Sequence, residues 1–249
     1  MTIGIMGAMP EEVDIIRELM TDISQQEHGS RIYYSGKINQ HDVVLVFSRW
    51  GKVAAAATVA SLIHQFKIEQ LIFTGVAGAV APHLNIGDIV ISQQLFQHDM
   101  NATPLFKRHE IPLTGITYFN TDKQLTVKAK VACENLLKNT KDHFPPETLL
   151  KFGISKPQYA LGIIGSGDQF ISSLEQSENI LIEKPETLAV EMEGAAVAQV
   201  CYDHNIPFIV IRTISDQANH KAHLDFPAFV NEIAKYYSKT IIQDMLKSL

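Results

Sequence analysis

Apolar positions fall into short continuous runs separated by stretches with helical spacing, the signature of strands alternating with helices. Ile3 to Met6 predicts a buried strand, Gly7-Ala8-Met9 a turn, and Pro10 the first residue of a helix whose Val13, Ile15, Ile16, Leu19 and Met20 share a face. Arg31 to Ile38 and Val43 to Ser48 predict paired strands around the polar turn Asn39-Gln40-His41-Asp42. GKVAAAATVASLIHQF predicts an alanine-rich helix suited to close packing. Gln70 to Thr74 predicts a strand running into GVAGAV, and Gly87 to Ser92 another. From Gln97 to Asn120 the period is lost around Pro104, Pro112 and Gly115, and so long an irregular segment in a compact domain points to function or an interface.

Leu125 to Lys138 has the spacing of an amphipathic helix, whereas Lys141 to Gln158, with Pro145, Pro146 and Pro157, predicts a surface loop. Tyr159 to Ser166 predicts a strand, GDQFISS a turn, and Ser173 to Ile182 a short helix. Leu188 to Met192 and Pro207 to Ile214 predict strands on either side of the helix GAAVAQVCYDHN, and Pro227 to Lys247 predicts a closing helix. No repeat, linker or low-complexity tract divides the pattern, so residues 1–249 are read as one α/β domain.

Composition narrows the function classes. With 46% hydrophobic and 19% charged residues, the chain can bury a substantial core. A formal net charge of −6 without any lysine/arginine run makes nucleic acid and anionic membrane poor partners. Cys133 and Cys201 build no disulfide framework and have no metal-type spacing. MTIGIMGAMPEEV lacks the basic region and long apolar stretch of a signal peptide, and no apolar run approaches the roughly 18 residues of a membrane helix. The expected location is the cytoplasm.

The candidate chemistry lies in AVEMEGAAVAQV (Ala189 to Val200) and VIRTISD (Val210 to Asp216), which place acidic side chains where apolar runs end. Gly194 to Ile206, thirteen residues with helical pattern between two strands, predicts a crossover joining parallel strands. Glu193 and Asp216 are then expected on one rim, where ligands of open α/β sheets bind, and Glu12 joins them if its strand is parallel too. Carboxylates converging on a cleft suit acid/base work on a glycosyl bond: one group protonates the leaving group while another stays ionised to orient water. Bland roles stand beside these. Glu12 suits the first turn of a helix, Asp216 suits a helix N-cap, and Glu191 suits a salt bridge to an arginine.

IGIMGAMPEEV, GKVAAA, TGVAGAV, GDIVIS, SGDQFI, AVEMEGAAVA and FIVIRTISD, in this order, resemble the purine nucleoside phosphorylase superfamily, and within it the 5′-methylthioadenosine/S-adenosylhomocysteine nucleosidases. The resemblance spans roughly residues 2 to 240 and is weakest over 100–120 and 139–158. It implies a homodimeric, single-domain α/β enzyme with a central mixed sheet, partly barrel-like, flanked by helices. It further implies hydrolysis of the N-glycosidic bond of 5′-thio-adenosines to adenine and a thioribose, without cofactor or metal. By resemblance, Asp216 protonates adenine N7 and Ser215 fixes its orientation; Glu193 binds the ribose hydroxyls, oriented by Arg212, with Met192 against the sugar. Glu12 positions or deprotonates the attacking water. Phe170 stacks on adenine, the Ile171 backbone reads its edge, Gly78 lets the chain approach the ligand, and Met9, Trp50 and Phe226 line the sugar and 5′-thio pocket. The 97–120 loop is implied to complete the neighbouring subunit's pocket. The chain departs from the family pattern at Val76, where serine is usual, at Ala79, where glycine is usual, and at Trp50, whose bulk bears on the preferred 5′ substituent.

Several rival readings stay open at the level of sequence. A phosphorylase of the same superfamily would use phosphate instead of water; GAMPEE offers carboxylates and no arginine, and Arg49 is the residue that keeps this rival alive. A nucleosidase for another 6-amino purine nucleoside, such as aminofutalosine, is a second, and a non-catalytic nucleoside-binding module a third. TGVAGAV lacks the GxGxxG spacing of a dinucleotide site. His220 and His223, spaced HxxH, read as loop residues, and His98 beside Asp99 as a structural or interface pair.

Overall fold

The computed structural model describes residues 1–218 and 226–249. Strand β1 (Thr2–Gly7) leads through Ala8 and Met9 into helix α1 (Pro10–Arg17), followed by β2 (Thr21–His28), β3 (Arg31–Ile38) and β4 (His41–Phe47). Helix α2 (Lys52–His64), β5 (Gln70–Ala79), β6 (Ile89–Gln97) and β7 (Phe119–Asn120) come next. Helices α3 (Lys123–Lys138), α4 (Thr140–His143) and α5 (Pro146–Lys151) precede β8 (Tyr159–Ser166), α6 (Leu174–Glu183), β9 (Thr187–Glu191), α7 (Gly194–Asp203) and β10 (Phe208–Asp216). After α8 (Phe226–Phe229), a π-type turn over Val230–Ala234 runs into α9 (Lys235–Lys247).

All the strands belong to one mixed sheet, and β5 is its hub. Along one flank β5 pairs with parallel β10, from Leu71↔Phe208 to Gly78↔Asp216. Along the other it pairs first with parallel β1, ending at Thr74↔Gly7, and then with antiparallel β9 at Gly78↔Val190 and Ala79↔Ala189. Since β10 also pairs with β6, β6 with β8, and β8 with β9, the strands β5-β10-β6-β8-β9 close on themselves as a partial barrel. The remaining strands β1-β4-β3-β2 extend from β5 as an open wing.

Central strands alternate between two apolar layers, which is why they read as unbroken hydrophobic runs. Ile3, Ile5, Val43, Leu45, Ile209 and Ile211 face the layer covered by α1, α3 and α9. Met6, Val44, Val46, Phe73, Val210 and Ile214 face the layer covered by α2 and α7.

Several expectations are corrected. The strands β9 and β10 are not parallel neighbours; the barrel places both against β5, one antiparallel and one parallel. Strand β2, absent from the sequence reading, is exposed at every residue and, among the described residues, pairs only with β3, so it carries no burial pattern to read. The stretch 141–158 is not a plain surface loop: Pro146 opens α5, and Phe144, Leu149, Phe152 and Ile154 are buried in the core. Phe144 tilts against Tyr237 and Phe152 meets Phe229 edge-on. Strand β6 continues to Gln97, five residues beyond the expected Ser92, and β7 adds a short pairing inside the irregular segment. The predicted closing helix is broken into α8, the π-type turn and α9.

Candidate active site

Glu193 and Asp216 do meet at one cavity, by a different route than expected, while Glu12 is off its described lining. Parallel β1 stops at Thr74 of β5, while antiparallel β9 arrives from the opposite end at Gly78, so the two strand ends face each other across Gly75–Ala77. The segments leaving them, Ala8–Met9 and Met192–Glu193, therefore meet over the middle of β5, and β10 brings Ser215 and Asp216 along the other flank. A cavity opens there. Met9, Trp50, Gly78, Phe170, Ile171, Met192, Glu193, Ser215, Asp216 and Phe226 all line it. Ala8, Val76, Ala77, Gln169, Val190, Glu191 and Pro227 complete the described lining. Glu12 and Arg212, two of the expected residues, stand fully buried behind it.

Asp216 is a buried carboxyl with defined partners. Ser215 Oγ lies 2.8 Å from Oδ2, and the Ala218 backbone N–H donates to Oδ1 at 2.7 Å. Burial pushes its pKa up, against the smaller opposing pull of these hydrogen bonds. A carboxyl held toward its protonated form in an apolar cavity is suited to act as a general acid. Gly78, the β5 partner of Asp216, leaves room for that carboxyl: a Cβ there would lie 2.9 Å from Asp216 Oδ1 and 3.1 Å from the Ala218 Cβ. Gly78→Ala is expected to displace the carboxyl and lower kcat by roughly 10²-fold. Steady-state kinetics on a fully folded variant checks this; an unchanged kcat would show that the site tolerates the shift.

Glu193 Oε1 accepts from the Gly51 backbone N–H at 2.8 Å. Burial, and then the nearby Glu191 charge, push its pKa up. The expectation that Arg212 orients Glu193 is corrected: its Nη2 and Nε donate to Glu191 Oε2 at 2.7 and 3.2 Å, and the guanidinium lies over Phe73. Glu191 is also held by Ser166 Oγ and by the Gly194 and Glu193 N–H groups at the start of α7. The carboxylate thus sits in strand β9 between a guanidinium and a helix N-terminus. This is the salt bridge open to Glu191 in the sequence.

Glu12 occupies the third position of α1 after the cap residue Met9, and its Oε2 accepts the Met9 N–H at 3.1 Å. Its other oxygen, Oε1, meets Ser238 Oγ at 2.7 Å. Burial pushes its pKa up, partly offset by the Ser238 hydrogen bond and the Arg212 charge. The helix-capping role and placement beside the cavity wall are therefore both fulfilled by one side chain.

Arg49 and Gly51, on either side of Trp50, both adopt the left-handed backbone region, with φ of 61° and 90°. This bend aims the Gly51 N–H at Glu193, while Trp50 Nε1 donates to the Ala8 carbonyl at 3.0 Å. Lys52 anchors the bend: its Nζ pairs with Asp99 Oδ1 at 2.6 Å and Gln97 Oε1 at 3.0 Å, and its N–H donates to Asp168 at 2.8 Å. Lys52, Asp168 and Ser238 were missed by sequence reasoning; the signals present were the glycine opening α2 and the acidic residue of SGDQFI. His98 and Asp99 behave as structural residues, His98 buried and Asp99 in this ion pair. His220 and His223 lie outside the described residues.

The phosphorylase superfamily model matches residues 2–246. A 5′-methylthioadenosine/S-adenosylhomocysteine nucleosidase from Staphylococcus carnosus is 39% identical over 99% of this chain and 100% of its own length. The chain belongs to this nucleosidase family. The corresponding nucleosidase of Colwellia psychrerythraea 34H, solved in complex with adenine, superposes with a TM-score of 0.88 at 33% identity, covering 100% of this chain and 96% of that one. A futalosine hydrolase of Helicobacter pylori superposes with a TM-score of 0.83 at 32% identity, covering 100% and 98%.

Of the departures from the nucleosidase family pattern, Val76 and Trp50 lie on the cavity, whereas Ala79 pairs with Ala189 of β9 and lies off the described lining. Arg49, which kept the phosphorylase reading open, reaches the Ser30 carbonyl and lines a separate hollow with Arg31 and Asp14.

Proposed function

We propose that this chain hydrolyses the N-glycosidic bond of 5′-methylthioadenosine and S-adenosylhomocysteine, releasing adenine and the 5′-thioribose. Asp216 gives its proton to adenine N7, and the C1′–N9 bonding pair withdraws into the purine. Water adds its oxygen to C1′ and passes a proton to Glu12, whose burial makes it a stronger base than an exposed carboxylate. Glu193 takes the ribose hydroxyls with Met192 against the sugar; Phe170 stacks on the base, with the Ile171 backbone at its edge. Met9, Trp50 and Phe226 enclose the sugar and the 5′-thio group. No cofactor enters this sequence of steps.

The observation that carries the reading is a mostly apolar cavity holding the buried carboxyls of Asp216 and Glu193, with no lysine or arginine among the described lining residues. A phosphate co-substrate calls for cationic or amide donors, and water does not. Adenine release from methylthioadenosine is expected to run at the same rate in phosphate-free buffer as in phosphate. A rate that vanishes without phosphate would establish a phosphorylase instead. The second reading, a nucleosidase for a futalosine-like substrate, is favoured by the likeness to the Helicobacter pylori hydrolase. Assaying aminofutalosine beside methylthioadenosine and adenosylhomocysteine separates the two.

The active form in this proposal is a homodimer in which the 97–120 loop approaches the neighbouring cavity. Leu105 and Leu113 on that loop are 83% and 90% exposed, an apolar display that a partner surface would cover. The chain is placed in the cytoplasm; among the described residues, no helix is long and apolar enough to cross a membrane.

A further inference from the structure

We propose that Ser238 is a positioning residue for Glu12, its hydroxyl braced by Thr74 so that the carboxyl is held in one orientation in both of its protonation states. The inference rests on the reading of Glu12 as the group that activates water.

Glu12, Ser238 and Thr74 come from α1, α9 and β5 and are 0%, 1% and 2% exposed. Around them the π-type turn presents Ile233 and Ala234, and α9 presents Tyr237, Ile241 and Ile242, to the same core. A hydroxyl among such neighbours is costly unless paired, and the two hydroxyls and the carboxyl pair in line: Thr74 Oγ1 lies 2.8 Å from Ser238 Oγ, and Ser238 Oγ 2.7 Å from Glu12 Oε1.

The polarity of this row can reverse. With Glu12 ionised, Thr74 donates to Ser238 and Ser238 donates to Oε1. With Glu12 protonated on Oε1, the carboxyl donates to Ser238 Oγ and Ser238 donates onward to Thr74. A hydroxyl serves both states because it is donor and acceptor at once; a methyl serves neither. Met9 N–H holds Oε2 throughout. Among the described residues, the charge that faces Glu12 is Arg212 of β10, itself paired with Glu191 of β9. The three α9 lysines are turned elsewhere, Lys239 to Glu18, Lys235 over the Tyr236 ring and Lys247 to Asp244.

The π-type turn explains how one element serves two places. It inserts a residue into the winding, rotating all that follows by about 100°. Phe226 before it lines the cavity mouth, and Ser238 after it meets Glu12 behind the wall.

Ser238→Ala is expected to lower kcat by roughly 10- to 100-fold, the equivalent of one hydrogen bond to a charged group, with KM and adenine binding nearly unchanged. Because the Ser238 hydrogen bond lowers the Glu12 pKa, its loss should move the acid limb of the kcat–pH profile to higher pH. Thr74→Val should move the same limb in the same direction by less, and decides the matter if Ser238→Ala does not fold. An unshifted acid limb in the folded variant, or a loss carried entirely by KM, overturns the inference. Glu12→Gln is measured alongside. If it turns over normally, the role of Glu12 falls and this inference with it; if it is inactive while Ser238→Ala matches wild type, only the inference about Ser238 falls.

Discussion

Asp216→Asn is expected to abolish adenine release, by roughly 10³-fold or more, while nucleoside binding and fold persist. The asparagine carbonyl can accept the Ala218 N–H and its amide can face Ser215, so the hydrogen bonds that seat Asp216 find substitutes. In the proposed mechanism, what is lost is the transferable proton, without which adenine is a poor leaving group. The same variant carries a stability signature. Burial raises the Asp216 pKa above its unfolded value, so between those two values the unfolded chain binds fewer protons than the native state. Stability is then fully present below the unfolded pKa and declines as pH rises toward the folded one. Asparagine has no such decline, so the variant should melt at or above the wild-type temperature at neutral pH, and this advantage should shrink in acid. Adenine assays together with thermal melts at both pH values check the prediction. Normal turnover would remove Asp216 as the acid, and a lower melting temperature confined to neutral pH would contradict the burial argument.

The largest effect on stability is expected at Arg212. The Arg212–Glu191 pair is almost wholly removed from solvent, with side chains 0% and 3% exposed. Arg212→Met leaves the Glu191 carboxylate buried beside the Glu193 carboxyl without its counter-charge, and should cost about 3–5 kcal/mol, or a melting-temperature loss on the order of 10 °C. Adding Glu191→Gln to that variant should recover part of the loss. Glutamine removes the stranded charge but keeps an oxygen for the Gly194 N–H that Glu191 now holds at 2.8 Å. Denaturant unfolding of the single and double variants is the measurement; no recovery in the double variant would mean that the helix-start contacts, and not the ion pair, dominate.

The sequence was legible where burial imposes a pattern. Tyr159–Ser166, Gln70–Thr74 and the helix ending at Lys138 are visible because their apolar residues meet a packed layer. It was silent at Thr21–His28, whose eight exposed residues pair along β3 without a buried face. It misled at 141–158, where prolines that separate short packed helices look like loop punctuation. For the site, the acidic ends of AVEME and TISD were readable as chemistry, yet their meeting place was not. Spacing around α7 gives a crossover, but the direction of β9 depends on closure of the barrel through β6 and β8, a long-range pairing that no local window carries. The resemblance implied Arg212 for Glu193, while the residues left a salt bridge to an arginine open for Glu191; the two glutamates differ by two positions, and the backbone leaving β9 turns Glu191 to the guanidinium.

Trp50 is the sole tryptophan of the chain, and its indole stands at the rim of the cavity, tethered to the backbone that follows β1. Intrinsic tryptophan emission from this protein is therefore a spectroscopic probe of one place, with no background from a second indole. Occupancy of the cavity can be followed in real time on the unlabelled, unsubstituted chain.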